Sequence, residues 1–311
     1  MTATVPATTT IPTGSGGPRQ SRMAQARAAV TLLLPSFVGL IAFLVLPVIM
    51  VVILSFFRWD LLRPAEWVGF SNYVDLFKYD RVGHSLLVTF YYVVLNIPIQ
   101  TVIALGLALM LNRRLPAMGI FRILFVVPYL ATPVAMAVVW NWIFDPKVGA
   151  TNAFLGFFGI NGPTWLSSSG WAMPVIAFAN IWQYAGYNML FFLAGLQAIP
   201  SYLYEVSTID GASKFQQFRS ITLPLLNPTM LFVLVTGMIG SFQVFDTVYV
   251  LTNGGPGDAT QVMNLQIYQS AFVGFHIGEA CAMSVILFGI ILTLTIAQFA
   301  YFRRRTVYEM V

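Results

Sequence analysis

The chain has 311 residues, of which 58% are hydrophobic and only 9% charged, and it carries a formal net charge of +5. Soluble domains keep to roughly 45–50% apolar residues, so this composition, with a mean hydropathy of +0.78, excludes an ordinary soluble globule and indicates a membrane protein. Two histidines and one cysteine leave too little for a disulfide framework or a His/Cys-rich metal centre.

The first 22 residues are rich in Thr, Pro and Gly. They hold too few large apolar side chains to offset the entropy of ordering, which predicts a disordered tail over 1–22 and a single membrane domain over 23–311. The first apolar run, Ala28 to Phe57, contains no Asp, Glu, Lys, Arg or His. About 20 such residues cross the hydrocarbon core as a helix, and this run is too long and too late in the chain for a cleaved signal peptide. Further runs at Ser85 to Leu111, Ile120 to Phe144, Trp171 to Ala198, Leu226 to Leu251 and Ile277 to Phe302 complete an all-α membrane protein of six spans.

Lys and Arg near span ends stay on the cytoplasmic side. With the amino terminus inside, that side collects Arg19, Arg22, Arg27, Arg113, Arg114, Arg122, Lys214, Arg219, Arg303, Arg304 and Arg305. Arg58, Arg63, Lys78, Arg81 and Lys147 remain outside, among eight acids from Asp60 to Glu279. Both termini are therefore expected in the cytoplasm of a multi-pass plasma-membrane protein. The asymmetry accounts for the net positive charge without a nucleic-acid partner.

Catalytic chemistry has few candidates, and no catalytic or metal-ligating set is assigned. His84 and His276 are far apart near outer span ends, and Cys281 falls inside the last span as a packing residue. The glycine-rich Gly254 to Asp258 lacks the Lys and Ser or Thr that a phosphate loop needs after its glycines, so no nucleotide site is visible in this chain.

Polar groups at membrane depth are costly unless they face a cavity or a partner. Span four carries Asn180, Gln183, Tyr184, Tyr187 and Asn188 at helical spacings, and span five adds Ser241 and Gln243. Neutral amides and aromatic rings suit a sugar, whose hydroxyls take hydrogen bonds while its apolar face stacks on a ring. The same groups also suit bonding between helices. Asp246 and Glu279 lie near the outer boundary and read as gate or partner contacts.

The loop at about 199–226 concentrates Glu205, Asp210, Lys214 and Arg219 in an otherwise apolar chain. Leu203, Val206 and Ile209 recur at threes, as do Ala212, Phe215 and Phe218, so two short helices each offer an apolar stripe. Gly211 between them permits a turn with positive φ, and Pro224 and Pro228 punctuate the entry to span five. A lipid-resting helix favours Lys and Arg on its polar face. Two acids balanced against two bases favour a protein partner instead.

This loop resembles the Glu-Ala-Ala loop of ABC importer permeases, with Glu205 followed by Gly211 and then by Ile221, Leu223 and Pro224. Val206 and Ser207 stand where that family usually has two alanines. The ITLP and DGAS stretches are similar to the carbohydrate-uptake class of maltose, glycerol-phosphate and amino-sugar permeases. WVGFSNYVDLF at Trp67 to Phe77, FRILFVVPYLATP at Phe121 to Pro133 and FDTVYVLTNGGPGDAT at Phe245 to Thr260 extend the resemblance along the chain.

The resemblance implies the type I ABC importer permease fold and a binding-protein-dependent sugar importer of a bacterial plasma membrane. It implies a second homologous permease subunit, a homodimer of ATPase subunits that binds ATP and Mg, and an extracytoplasmic solute-binding protein. This chain itself would hold no cofactor. Glu205, Asp210, Gly211, Ala212, Phe215, Ile221, Leu223 and Pro224 would couple to the ATPase, and Gln183, Tyr184, Tyr187, Asn188, Ser241 and Gln243 would line the solute path. The alternative is an ion-coupled secondary transporter. Such a protein shows inverted repeats and ion-coordinating groups at midplane, and the spans display neither.

Overall fold

The computed structural model describes residues 22–78, 80–113 and 116–303. The tail expected over 1–22 lies, apart from Arg22, outside the described residues, as do Arg19, Arg114, Arg304 and Arg305. The chain divides into two units, 1–50 and 51–311, which are taken separately. The first holds α1 (Arg22–Leu40), a π-helical stretch (Ile41–Val45) and the start of α2 (Leu46–Leu54). Ala29–Leu54 reads as one apolar stretch of 26 residues.

The second unit begins with a small antiparallel hairpin, β1 (Phe57–Arg58) on β2 (Glu66–Trp67), with Phe57 opposite Trp67. Helix α3 (Ser71–Lys78) follows. Its Asn72 donates Nδ2–H to the carbonyls of Ser55 and Phe57, both at 2.8 Å, so a buried amide satisfies the carbonyls left open where α2 gives way to the hairpin.

Helix α4 (Arg81–Leu111) runs 31 residues and stays one helix despite Pro98. The apolar run Ile120 to Phe144, expected as one span, is formed by two helices, α5 (Met118–Leu130) and α6 (Pro133–Ile143), bent by 96°. The cause is local. Pro133 pushes Thr132 to extended backbone (ψ 142°), where its hydroxyl caps α6 by accepting from the Ala135 N–H. The Ala131 carbonyl, left without a helical partner, accepts from Gln183 Nε2 at 3.0 Å.

Helices α7 (Ala150–Phe157) and α8 (Ala172–Ala198) come next, with a 3₁₀ turn (Trp165–Ser167) between them. The loop contains α9 (Ser201–Ile209), α10 (Lys214–Gln217), a π-helical turn (Phe218–Thr222) and α11 (Leu223–Leu225). Span five, expected to reach Leu251, is corrected by the structure. Helix α12 (Asn227–Phe242) ends before a break, and α13 (Asp246–Leu251) starts after it. Helix α14 (Met263–Tyr268), a π-helical turn (Gln269–Val273) and α15 (Ile277–Arg303) complete the described chain.

Three helices are each long and apolar enough to cross a membrane, and three bent pairs bring the total to six when each pair counts as one span. Two apolar cores hold the second unit together. One gathers residues of α3, α4, α8 and α12 to α15, including Tyr92, Met173, Phe242, Met263 and Met283. The other joins Ala104 and Ala108 of α4, Phe192 and Leu196 of α8, and Leu226 and Val233 around α12. Gly186 of α8 lies against the Phe125 carbonyl of α5, where any Cβ would collide. Only glycine allows that backbone approach. Helices α4, α8 and α12 recur in both cores and frame what lies between them.

Candidate functional site

A cavity of about 260 Å³ opens among α4, the α5–α6 break, α8 and α12. Helix α4 lines it with Tyr92, Asn96 and Gln100, four residues apart and so on one helix face. Helix α8 contributes Asn180, Tyr184, Tyr187 and Asn188. From α12 and the break beyond it come Thr236, Gly237, Gly240, Ser241, Gln243 and Asp246. The break at Phe242 matters here, because a helix continued to Leu251 would carry Gln243 and Asp246 onward along the α12 axis.

Asn96 is 4% exposed. Its Nδ2 donates to Gln100 Oε1 at 3.2 Å and to Ser241 Oγ at 3.0 Å, which uses both amide hydrogens. Its Oδ1 is buried with no hydrogen-bond partner. A buried polar atom left open in this way costs free energy on the order of 1–3 kcal/mol, and Asn96 is among the residues that line the cavity. Asn180 is by contrast already engaged, donating to the Ile176 carbonyl at 3.1 Å and accepting from Thr247 Oγ1 at 3.3 Å.

Aromatic rings also line the cavity. Tyr129, at the end of α5, stacks on Tyr187 with centroids 4.0 Å apart and an interplanar angle of 10°, and meets Tyr184 edge-on at 5.7 Å. The cavity thus combines flat rings, amides, hydroxyls and one carboxylate.

Of the residues expected along a solute path, Tyr184, Tyr187, Asn188, Ser241 and Gln243 line this cavity. Gln183 does not: its amide turns to the Ala131 carbonyl and holds the α5–α6 break. Sequence reasoning missed Tyr92, Asn96 and Gln100, although their four-residue period in an apolar span is a legible signal. It also missed Tyr129, whose only local clue is its position just before Ala131-Thr132-Pro133.

At the far end of α8 the chain bends by 64° into α9. Gly211 takes φ +78° with open space around it, so backbone conformation, not crowding, calls for glycine there. Ser213 and Gln216 then form a reciprocal capping box that starts α10. The two short helices are joined by Gln217, 4% exposed, whose Nε2 lies 3.3 Å from the Tyr204 carbonyl, 3.0 Å from Ser207 Oγ and 2.8 Å from Thr208 Oγ1. Tyr204 OH meets Thr222 Oγ1 at 3.0 Å. On this frame Glu205, Asp210, Val206, Ile209 and Phe215 are exposed, while Ala212, Ile221 and Leu223 are half-buried and Pro224 is exposed. The result is a braced knob with an apolar and charged outer face.

The remaining candidates have structural partners. His84 Nε2 lies 3.0 Å from the Asp258 carbonyl, and the Gly254 to Asp258 turn is closed by Thr260, whose Oγ1 donates to the Gly255 carbonyl at 2.8 Å. Among the described residues no three His, Cys, Asp or Glu side chains are placed to hold a metal ion.

Residues 71–308 match the family described as binding-protein-dependent transport system inner membrane component. The chain belongs to this family. It is 33% identical over 273 residues to the trehalose/maltose transport system permease protein MalF of Thermococcus litoralis, covering 88% of this chain and 92% of that protein. It is 34% identical over 248 residues to the sn-glycerol-3-phosphate transport system permease protein UgpA of Yersinia pestis, covering 79% and 83%. In fold it is similar to a chain of a bacterial alginate ABC transporter crystallised with an alginate pentasaccharide-bound periplasmic protein, with a TM-score of 0.80 at 23% identity, covering 91% and 96%. The protein is thus a membrane-spanning transport subunit and not an enzyme in its own right. Nothing in these matches supports the ion-coupled alternative.

Proposed function

We propose that this permease forms half of the translocation path of an ATP-driven carbohydrate importer, with the α4–α8–α12 cavity as its solute-contacting surface and the Glu205–Pro224 knob as its contact with an ATPase. The observation that carries the solute reading is one small cavity lined by amides, hydroxyls and a stacked tyrosine pair, beside an Asn96 oxygen that has no protein partner. Carbohydrates offer both hydroxyl donors and flat C–H faces, so they match both kinds of lining group. A volume of about 260 Å³ lies just under the ~300–1,000 Å³ range of small-molecule sites, which suits one face of a path completed by a second permease.

The knob reading rests on its geometry. A bracing amide makes the two short helices move as one body, and the bend at Ala198 ties that body to α8, which also lines the cavity. Partners in this reading are a homologous permease, two ATPase subunits that bind ATP and Mg, and an extracytoplasmic binding protein. The alginate transporter that is similar in fold was crystallised with a periplasmic protein, which supports the binding-protein partner. The distribution of Lys and Arg supports both termini in the cytoplasm of a bacterial cell.

Reconstitution tests the reading. The chain alone in liposomes should neither hydrolyse ATP nor accumulate sugar, and adding the co-encoded permease, ATPase and binding protein should restore both. Proton- or sodium-driven accumulation by the lone chain would overturn it.

A further inference from the structure

Between α6 and α8 the chain turns through a segment whose role the transport cycle leaves open. No residue from Val148 to Tyr204 is charged, and within this stretch α7 carries Phe154 and Phe157, with Phe158 at its C-cap. Their spacing of three and four places them on one helix face. They are 66%, 86% and 61% exposed, and their rings meet edge-on, Phe154 with Phe158 at 5.3 Å and Phe157 with Phe158 at 5.4 Å.

This aromatic face is held rigidly. Asn152 Nδ2 donates to the Pro146 carbonyl at 3.0 Å and to the Pro163 carbonyl at 3.4 Å, and its Oδ1 accepts from Trp165 Nε1 at 2.7 Å. Just before α7, Asp145 Oδ1 accepts the N–H groups of Lys147 at 2.8 Å and Val148 at 2.9 Å. Asp145 and Lys147 form a charged edge, and everything beyond it up to α8 is uncharged.

We propose that α7 is an interfacial anchor whose Phe154, Phe157 and Phe158 face rests among lipid acyl chains, at the membrane surface opposite the Glu205–Pro224 knob. Position decides the occupant. Helix α7 follows α6 and precedes α8, each part of a bent apolar pair long enough to cross a membrane, so its exposed aromatic face lies in the chain between segments that meet lipid. The 27 residues of α8, at ~1.5 Å each, separate it from the knob by about the thickness of a bilayer. In water a cluster of three exposed phenyl rings would be an unfavourable patch. Clustered phenyl rings with no charge among them suit contact with acyl chains, and Asp145 and Lys147 at the segment's edge suit the headgroup layer.

The test is a nitroxide on Phe157→Cys in a Cys281→Ala background, with the assembled transporter in nanodiscs of phosphatidylcholine and phosphatidylglycerol. Collision with oxygen, which concentrates in acyl chains, is compared with collision with a water-soluble nickel chelate. A label on Lys147→Cys serves as the aqueous reference. The expected result is an oxygen-to-nickel ratio several-fold higher at 157 than at 147. Equal ratios would place the face in water, and low collision with both reagents would place it under a protein partner. Either outcome overturns the proposal. Phe154→Cys, on the same face, is read in the same way if the first variant fails to assemble. Neither readout involves transport, so the result is independent of the solute and coupling readings.

Discussion

Two buried amides in this molecule sit in opposite states. Gln217 on the knob and Asn96 in the cavity are each 4% exposed, yet the Gln217 Nε2 reaches three oxygens on α9, while the Asn96 Oδ1 has no partner. Desolvating an amide is tolerable only when its hydrogen bonds are replaced. The satisfied amide braces the knob, and the one with an open acceptor lies on a helix that lines the cavity. The difference accords with the proposal that one part transmits motion as a unit and the other receives a ligand.

The comparison predicts how each end fails. Replacing Gln217 by Ala removes two N–H donors shared among three oxygens of α9, each bond worth roughly 0.5–1.5 kcal/mol, and frees α9 from α10. Uptake and binding-protein-stimulated ATPase activity in the reconstituted transporter should fall more than about tenfold, with membrane levels of the subunit retained. Full coupling in this variant would show that the knob does not act as one body.

Gly211→Val acts on the same body through its backbone. A side chain at φ +78° meets no neighbour but carries strain of about 1–2 kcal/mol, so stimulated ATPase activity should drop several-fold while insertion, followed by protease protection, stays normal. A loss of insertion instead would assign Gly211 to folding.

At the other end, Asn96→Leu removes the open acceptor. Loss of one hydrogen bond of about 1 kcal/mol should raise the KM for uptake roughly fivefold, with assembly on the partner subunits unchanged by co-purification. An unchanged KM would mean that the oxygen is not read by solute. Gln183→Ala sharpens the contrast from the scaffold side and has the smallest transport effect. It strips the Ala131 carbonyl of its donor, so it should lower thermal stability by an amount matching about 1 kcal/mol and leave KM unaltered. A raised KM with normal stability would return Gln183 to the solute path.

Much of this architecture is legible along the chain, because membrane insertion depends on hydropathy accumulated over about 20 consecutive residues and needs no tertiary information. The expectation of six apolar runs follows from that alone, and the described residues match it when each bent pair counts as one span. The knob is legible too, since charges stand out locally in an apolar chain and Gly211, Pro224 and Pro228 punctuate it with conformational limits that each residue carries by itself. Tyr184, Tyr187 and Asn188 were identifiable for a similar reason: they share one helix, and helical periodicity places them together.

Tertiary structure decided what depends on groups distant in sequence. Pro133 breaks the span locally, but what satisfies the Ala131 carbonyl freed at the 96° bend is Gln183, 52 residues away, and that same bond takes the Gln183 amide out of the cavity. Whether Asn96 would be scaffold or open acceptor turned on Ser241, 145 residues distant. Hydropathy is a property of a segment and adds along it, whereas satisfaction of a buried polar atom is a property of a pair that only the packed fold brings within 3 Å.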